Sequence, residues 1–151
     1  MARLAEILTQ PTVRPRVVQA CADLIDAEVA TKSGIAGLAV KAGYKLVKAI
    51  KPSMVPDVVD RLLPEFAEAM QPFYEESARD VARGSTPADA FAARLGQSPP
   101  LVAAALLTVT DRRAEKASGP LKKTYARLRD TAETHVQAAI PGLVKALAPF
   151  V

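Results

Sequence analysis

His135 and Cys21 are the side chains best suited to nucleophilic or acid–base chemistry near neutral pH, and the chain has one histidine and one cysteine. A cysteine–histidine dyad is formally available. Cys21 stands in "VVQACADLI", at helical spacing from Val17, Val18, Leu24 and Ile25, a setting that suits a buried and unreactive thiol. A lone histidine makes the paired Glu-x-x-His motifs of di-iron bundles impossible, and one cysteine with one histidine excludes zinc sites of ordinary composition. Carboxylates do pair at helical spacing, at Asp57/Asp60, Glu65/Glu68 and Glu76/Asp80. Such pairs can hold a hard cation or act as acid and base, but a solvated helix face accounts for them more simply. There is no phosphate loop, dinucleotide fingerprint or nucleophile elbow. No catalytic, metal or cofactor residue is assigned, no cofactor is expected, and nothing in the chain argues for an enzyme.

A different chemistry is written in "KSGIAGLAVKAGYKLVKAIKP", residues 32–52, which carries five lysines, three glycines and no acid. Projected at about 100° per residue, its apolar residues cover an arc of roughly 200°. Lys41, Tyr44, Lys45, Lys48 and Lys51 fill the rest. So broad an arc implies a central helix with neighbours on both flanks, one narrow basic edge, and glycines that let another helix come close. The bare Gly34-Ile-Ala-Gly37 matches the GXXG clamp of KH domains, but no strand accompanies it. A basic helix can also lie on an anionic membrane, although this apolar arc is broad for that role.

Charge is unevenly spread. Residues 111–129 hold seven cations against two acids, and residues 57–80 hold seven acids against two cations. Internal pairing of acidic and basic faces is the simpler explanation. A two-poled surface that binds a polyanion or stacks copies of the chain is the functional one. The candidate anion- or partner-binding set is Lys41, Tyr44, Lys45, Lys48 and Lys51 with Arg112, Arg113 and Lys116.

The elements that must position these groups read as helices throughout, because apolar residues recur at three- and four-residue steps. Prolines fall where helices start, as in Thr86-Pro87-Ala88-Asp89, Ser98-Pro99-Pro100 and Ser118-Gly119-Pro120; Thr12 can cap a helix with Pro15 in its first turn. The spacing predicts helices over 2–9, 12–31, 33–51, 55–71, 73–83, 87–96, 99–116 and 120–148. Pro64 and Pro141 should kink or divide the runs that contain them. The expected fold is all-α, a compact bundle of about seven to eight helices in one domain, 1–151, around a central glycine/alanine-rich helix. The expected core includes Leu24, Ile25, Leu38, Leu46, Ile50, Leu62, Leu63, Phe66, Phe91, Leu106, Leu107, Val109, Leu128 and Val136. With 151 residues, one cysteine and no run of 18 apolar residues, the chain reads as a cytoplasmic protein without a transmembrane segment.

Three blocks, "KSGIAGLAVKAGYKLVKAIKP", "VVDRLLPEFAEAMQPFY" and "LLTVTDRRA", together resemble a family of small all-helical bacterial proteins known as a domain of unknown function. That resemblance implies a bacterial source and no activity. The residues favour a non-enzymatic binding or scaffolding protein that self-associates as a homodimer or larger, its lysine edge meeting an acidic partner or its own 57–80 segment. The alternatives are binding of a polyanion, nucleic acid or an anionic membrane surface, and carriage of an apolar ligand between alanine-rich helices.

Overall fold

A computed structural model describes residues 2–151. Short connections and proline-marked starts resolve the chain into seven helices, with no strand among the described residues. They are α1 (Leu4–Leu8), α2 (Arg14–Ala30), α3 (Gly34–Ile50), α4 (Met54–Ala82), α5 (Pro87–Gln97), α6 (Pro99–Ala114) and α7 (Gly119–Leu147), followed by a 3-10 turn, Ala148–Phe150. The Thr86 hydroxyl accepts from the Asp89 amide at 3.1 Å, the N-cap that the sequence suggests. Val13 rather than Thr12 occupies the N-cap position of α2, and it makes no side-chain cap. Gly84, at φ +109°, ends α4 in a backbone region that side-chain-bearing residues rarely enter.

The two helices expected on either side of Pro72 are one. α4 runs through Pro64 and Pro72, and α7 runs through Pro141. A proline inside a helix leaves the carbonyl four residues earlier without its donor. For Pro64 that carbonyl belongs to Asp60, and Arg14 of α2 donates to it from Nη2 at 2.6 Å. The same guanidinium holds the Asp60 carboxylate at 2.7 Å, so a residue from the neighbouring helix offsets the break.

α4 is the hub. It packs against α1, α2, α3, α5 and α6, while α7 lies against α2, α3, α5 and α6. The densest core joins Leu4 and Leu8 of α1 to Leu63, Ala67, Met70 and Tyr74 of α4. Phe91 and Leu95 of α5, Val102 of α6 and Ile140 of α7 complete it. The Tyr74 and Phe91 rings meet edge to face at 5.5 Å. Gln71 turns its carboxamide into this core and accepts from the Leu4 amide at 2.8 Å, satisfying one of the free donors that begin α1.

The glycine/alanine-rich helix is not central. Among α3 residues only Gly37 and Gly43 are buried, whereas Ile35 is 91% exposed, Leu38 68%, Leu46 41% and Ile50 46%. Leu38, Leu46 and Ile50 are therefore not core residues. Leu62, Leu63, Phe91, Leu107 and Val109 are buried as expected, and Leu24, Ile25, Phe66, Leu106, Leu128 and Val136 are half-buried. The physical reason lies in what periodicity measures. It finds an apolar arc, but whether a neighbour covers that arc is decided by other parts of the chain.

Candidate functional site

α3 is pinned at its glycines. A side chain at Gly43 would begin 3.0 Å from Thr124 and 3.1 Å from Leu128 of α7, and one at Gly37 would meet the Lys32 backbone at 2.8 Å. Between these two contacts, under Val40, the helix does not close on its neighbours. A cavity of about 330 Å³ remains between α2, α3, α4, α6 and α7. Leu24, Ile25, Val40, Phe66, Met70, Leu106, Val136 and Ile140 give it a hydrocarbon wall, and small Ala139 in α7 leaves it room. Its size is at the lower end for small-molecule sites. At the roughly 30 Å³ that one water takes in the liquid, it holds on the order of ten heavy atoms. A larger but shallower groove of about 470 Å³ runs between α4 and α6 past Pro64, Glu65, Ala105 and Arg112. It is open to solvent and edged by charge, so it offers a ligand less burial than the cavity does.

Three polar residues stand at the cavity, Glu28, Lys32 and His135. Lys32 Nζ is 3.7 Å from Glu28 Oε2, and its side chain is only 13% exposed. Among the described residues, His135 Nε2 is the buried side-chain nitrogen without a hydrogen-bond partner. Burial first, and then the nearby Lys32 charge, hold the imidazole below its ordinary pKa of 6.5, so it is neutral at pH 7. Cys21 lines the same wall, and burial pushes its thiol up to about 11. A reactive cysteine needs the opposite shift, and no hydrogen bond joins the two side chains. The cavity gathers the pair without activating it. No group of three potential metal ligands occurs among the described residues.

The lysine edge faces solvent beside α2. Tyr44 donates to Asp26, and Lys48 pairs with the same carboxylate at 3.3 Å while resting 4.6 Å from the Tyr44 ring centre. Lys51 pairs with Asp57 at 2.8 Å, which holds that carboxyl below its usual range. Lys41 and Lys45 are exposed and, among the described residues, unpaired. The second half of the candidate set lies elsewhere. Arg113 is bound to Glu65 of α4, Arg112 borders the shallow groove, and Lys116 is exposed just past the end of α6. α3 packs on α2, α4 and α7, and α6 packs on α4, α5 and α7.

The acidic segment is already engaged inside the fold. Arg14 binds Asp60, Arg3 binds Glu68, Arg94 binds Asp80 and reaches Glu76, Lys51 binds Asp57, and Arg113 binds Glu65. Of the seven carboxylates in 57–80 only Glu75 lacks a cation among the described residues, and it accepts from Gln71 at 3.2 Å. Asp111, beyond α4, makes a comparable cluster. Tyr125 donates to it and Arg129 grips both oxygens at 2.9 and 3.2 Å, which depresses its pKa.

Sequence reasoning missed the cavity residues Lys32, Val40, His135 and Ala139 as a group. The partial signal is Gly43, whose close approach to α7 stands three residues after the larger Val40 that lines the space. No curated protein and no solved structure matches the chain. Residues 4–151 do match a family of unknown function, DUF6918, and the chain belongs to that family.

Proposed function

We propose that the protein binds a small apolar molecule in the cavity beneath α3. The observation that carries this reading is the hydrocarbon-walled space of about 330 Å³ beneath α3, beside the close approach of Gly43 to α7. Each methylene that such a wall takes out of water contributes about 0.8 kcal/mol to a ligand's retention. The wall presents no polar surface to this space, so a ligand there is held by its hydrocarbon part. Self-association through the lysine edge and the 57–80 segment draws less support, because six of that segment's seven carboxylates already have cationic partners within the chain.

The test is titration calorimetry with decanoate, together with native mass spectrometry of the freshly purified protein. One-to-one saturable uptake, competing with the dye 1-anilinonaphthalene-8-sulfonate, is the expected result. Failure of both decanoate and the dye to bind at millimolar concentration, with no mass beyond the bare chain, would overturn the reading.

A further inference from the structure

We infer that the outer face of α3 is a docking surface for an anionic lipid bilayer. The inference stands on the outside of the helix and does not depend on what fills the cavity. Ile35, Leu38, Leu46 and Ile50 form an exposed apolar row, with Ala39, Ala42 and Ala49 filling the spaces between them. Residues at these three- and four-residue steps share one side of a helix. Ile35 and Leu38, at 91% and 68% exposed, are the most exposed of the large apolar side chains. A contiguous apolar face of this kind marks an interaction site, whereas single exposed leucines do not.

The charge bordering the row selects the occupant. Lys41, Lys45 and Lys48 follow one another at four and three residues along its α2 side, and the first two have no ion pair among the described residues. A helix that lies in a membrane interface has this composition, an apolar face that enters the acyl boundary and lysines that stay at the headgroups. A second copy of the chain turned onto the same face is less well matched. α3 contributes no carboxylate to meet the lysines, and of the seven acids in 57–80 all but Glu75 are paired with cations of the same chain. Nucleic acid is also a poorer fit. It would leave Leu38 and Ile35 without a partner, and Tyr44, the aromatic residue of this helix, is tied to Asp26 and unable to stack on a base.

The experiment is co-sedimentation of the full chain, with no apolar ligand added, on vesicles of phosphatidylglycerol and phosphatidylcholine in equal parts, and on phosphatidylcholine alone. Binding to the anionic vesicles, weakening as salt rises, is the expected result. Each lysine near an anionic surface is worth about fivefold in partitioning, so K41Q/K45Q should bind roughly 30-fold less. I35Q/L38Q should lose at least tenfold while melting at the parent temperature, since both side chains are solvent-exposed before substitution. Ala139→Leu, which alters only the cavity, should bind vesicles like the parent. No sedimentation with anionic vesicles at low salt would overturn the inference, and so would equal binding by parent and both double variants. A dimer by light scattering that I35Q/L38Q dissolves, with no vesicle binding, would assign the face to a second copy instead.

Discussion

Filling the cavity gives the sharpest test of whether it is an empty space kept for a ligand. Ala139 projects into it from α7, and Ala139→Leu replaces a methyl by an isobutyl group without loss of helix propensity. The three added carbons contribute about 0.8 kcal/mol apiece when they leave water for a preformed apolar space. Fixing the leucine rotamer costs roughly 0.5–1 kcal/mol. A net gain of about 1.5 kcal/mol follows, and at roughly 2–4 °C per kcal/mol for a chain of this length the melting temperature should rise by about 3–6 °C. The added group removes about a quarter of the 330 Å³, on the basis of roughly 30 Å³ per heavy atom, and decanoate uptake should fall at least tenfold. Differential scanning calorimetry on the ligand-free chain and titration calorimetry with decanoate read the two effects on one preparation. A melting temperature lowered by several degrees would mean that the space is already filled by side-chain motion. Unchanged decanoate binding would place the ligand elsewhere. Either result refutes the reasoning.

The remaining expectations concern the frame around the cavity. Gln71→Leu leaves the buried Leu4 amide without an acceptor and should cost about 1–3 kcal/mol in urea unfolding. Gly43→Leu drives a side chain into Thr124 and Leu128 and should cost about 1–3 kcal/mol, whereas Gly96→Ala, which meets no atom within 4 Å, should stabilise by up to about 1 kcal/mol. The His135 imidazole should titrate below 6.5 by proton NMR; Lys32→Met should recover only the smaller part of the shift, because burial is the larger cause. Its folded pKa is depressed, so the stability it contributes is present above pH about 6.5 and is lost as pH falls through the folded value. Asp57, Glu65 and Asp111 are depressed as well, and their contribution disappears further down, below about pH 4. An imidazole pKa at or above 6.5 would contradict the burial assigned to this wall. In hydrogen exchange the α3 amides should open at lower free energy than those of α4, since α3 fully buries only Gly37 and Gly43, with Val40, Tyr44 and Val47 half-buried, and its ion pairs are exposed; equal protection would show that α3 belongs to the core.

The helices themselves were legible because local chemistry dictates them. Thr86 with Pro87 and Asp89 starts α5, Ser98 with Pro99 starts α6, and the three- and four-residue apolar steps continue through every run. Pro72 misled because a proline removes one helical hydrogen bond without deciding that the helix ends, and α4 continues through it. The Arg14 guanidinium that takes up the carbonyl freed by Pro64 lies 46 residues away from Asp60 in sequence, and no local pattern announces it. The charge blocks were legible as blocks, but among the described residues only Lys51 and Arg113 of the basic blocks pair with the 57–80 acids, and Arg3, Arg14 and Arg94 supply the other pairs. Their particular matching, Arg113 with Glu65 or Arg94 with Asp80, depends on helix neighbours that periodicity does not supply.

The position of α3 was the illegible part, and the reason bears on function. An apolar arc of about 200° is ambiguous between a helix covered by protein on both flanks and one covered on a single side. What resolves it is the size of the residues at the contact. Gly43 draws the helix close to Thr124 and Leu128 of α7 and Gly37 packs on the Lys32 backbone just ahead of α3, while Ile35, Leu38, Leu46 and Ile50 lie on the far side, facing solvent. Close approach by glycine also forfeits side-chain burial, which leaves α3 held by little apolar area and by ion pairs to Asp26 and Asp57 at its edge. A helix so held can lift from α2 and α7 at less cost than any helix of the α4-centred core. The cavity has α3 as one wall, and the exposed row of Ile35, Leu38, Leu46 and Ile50 lies on the opposite side of that same helix.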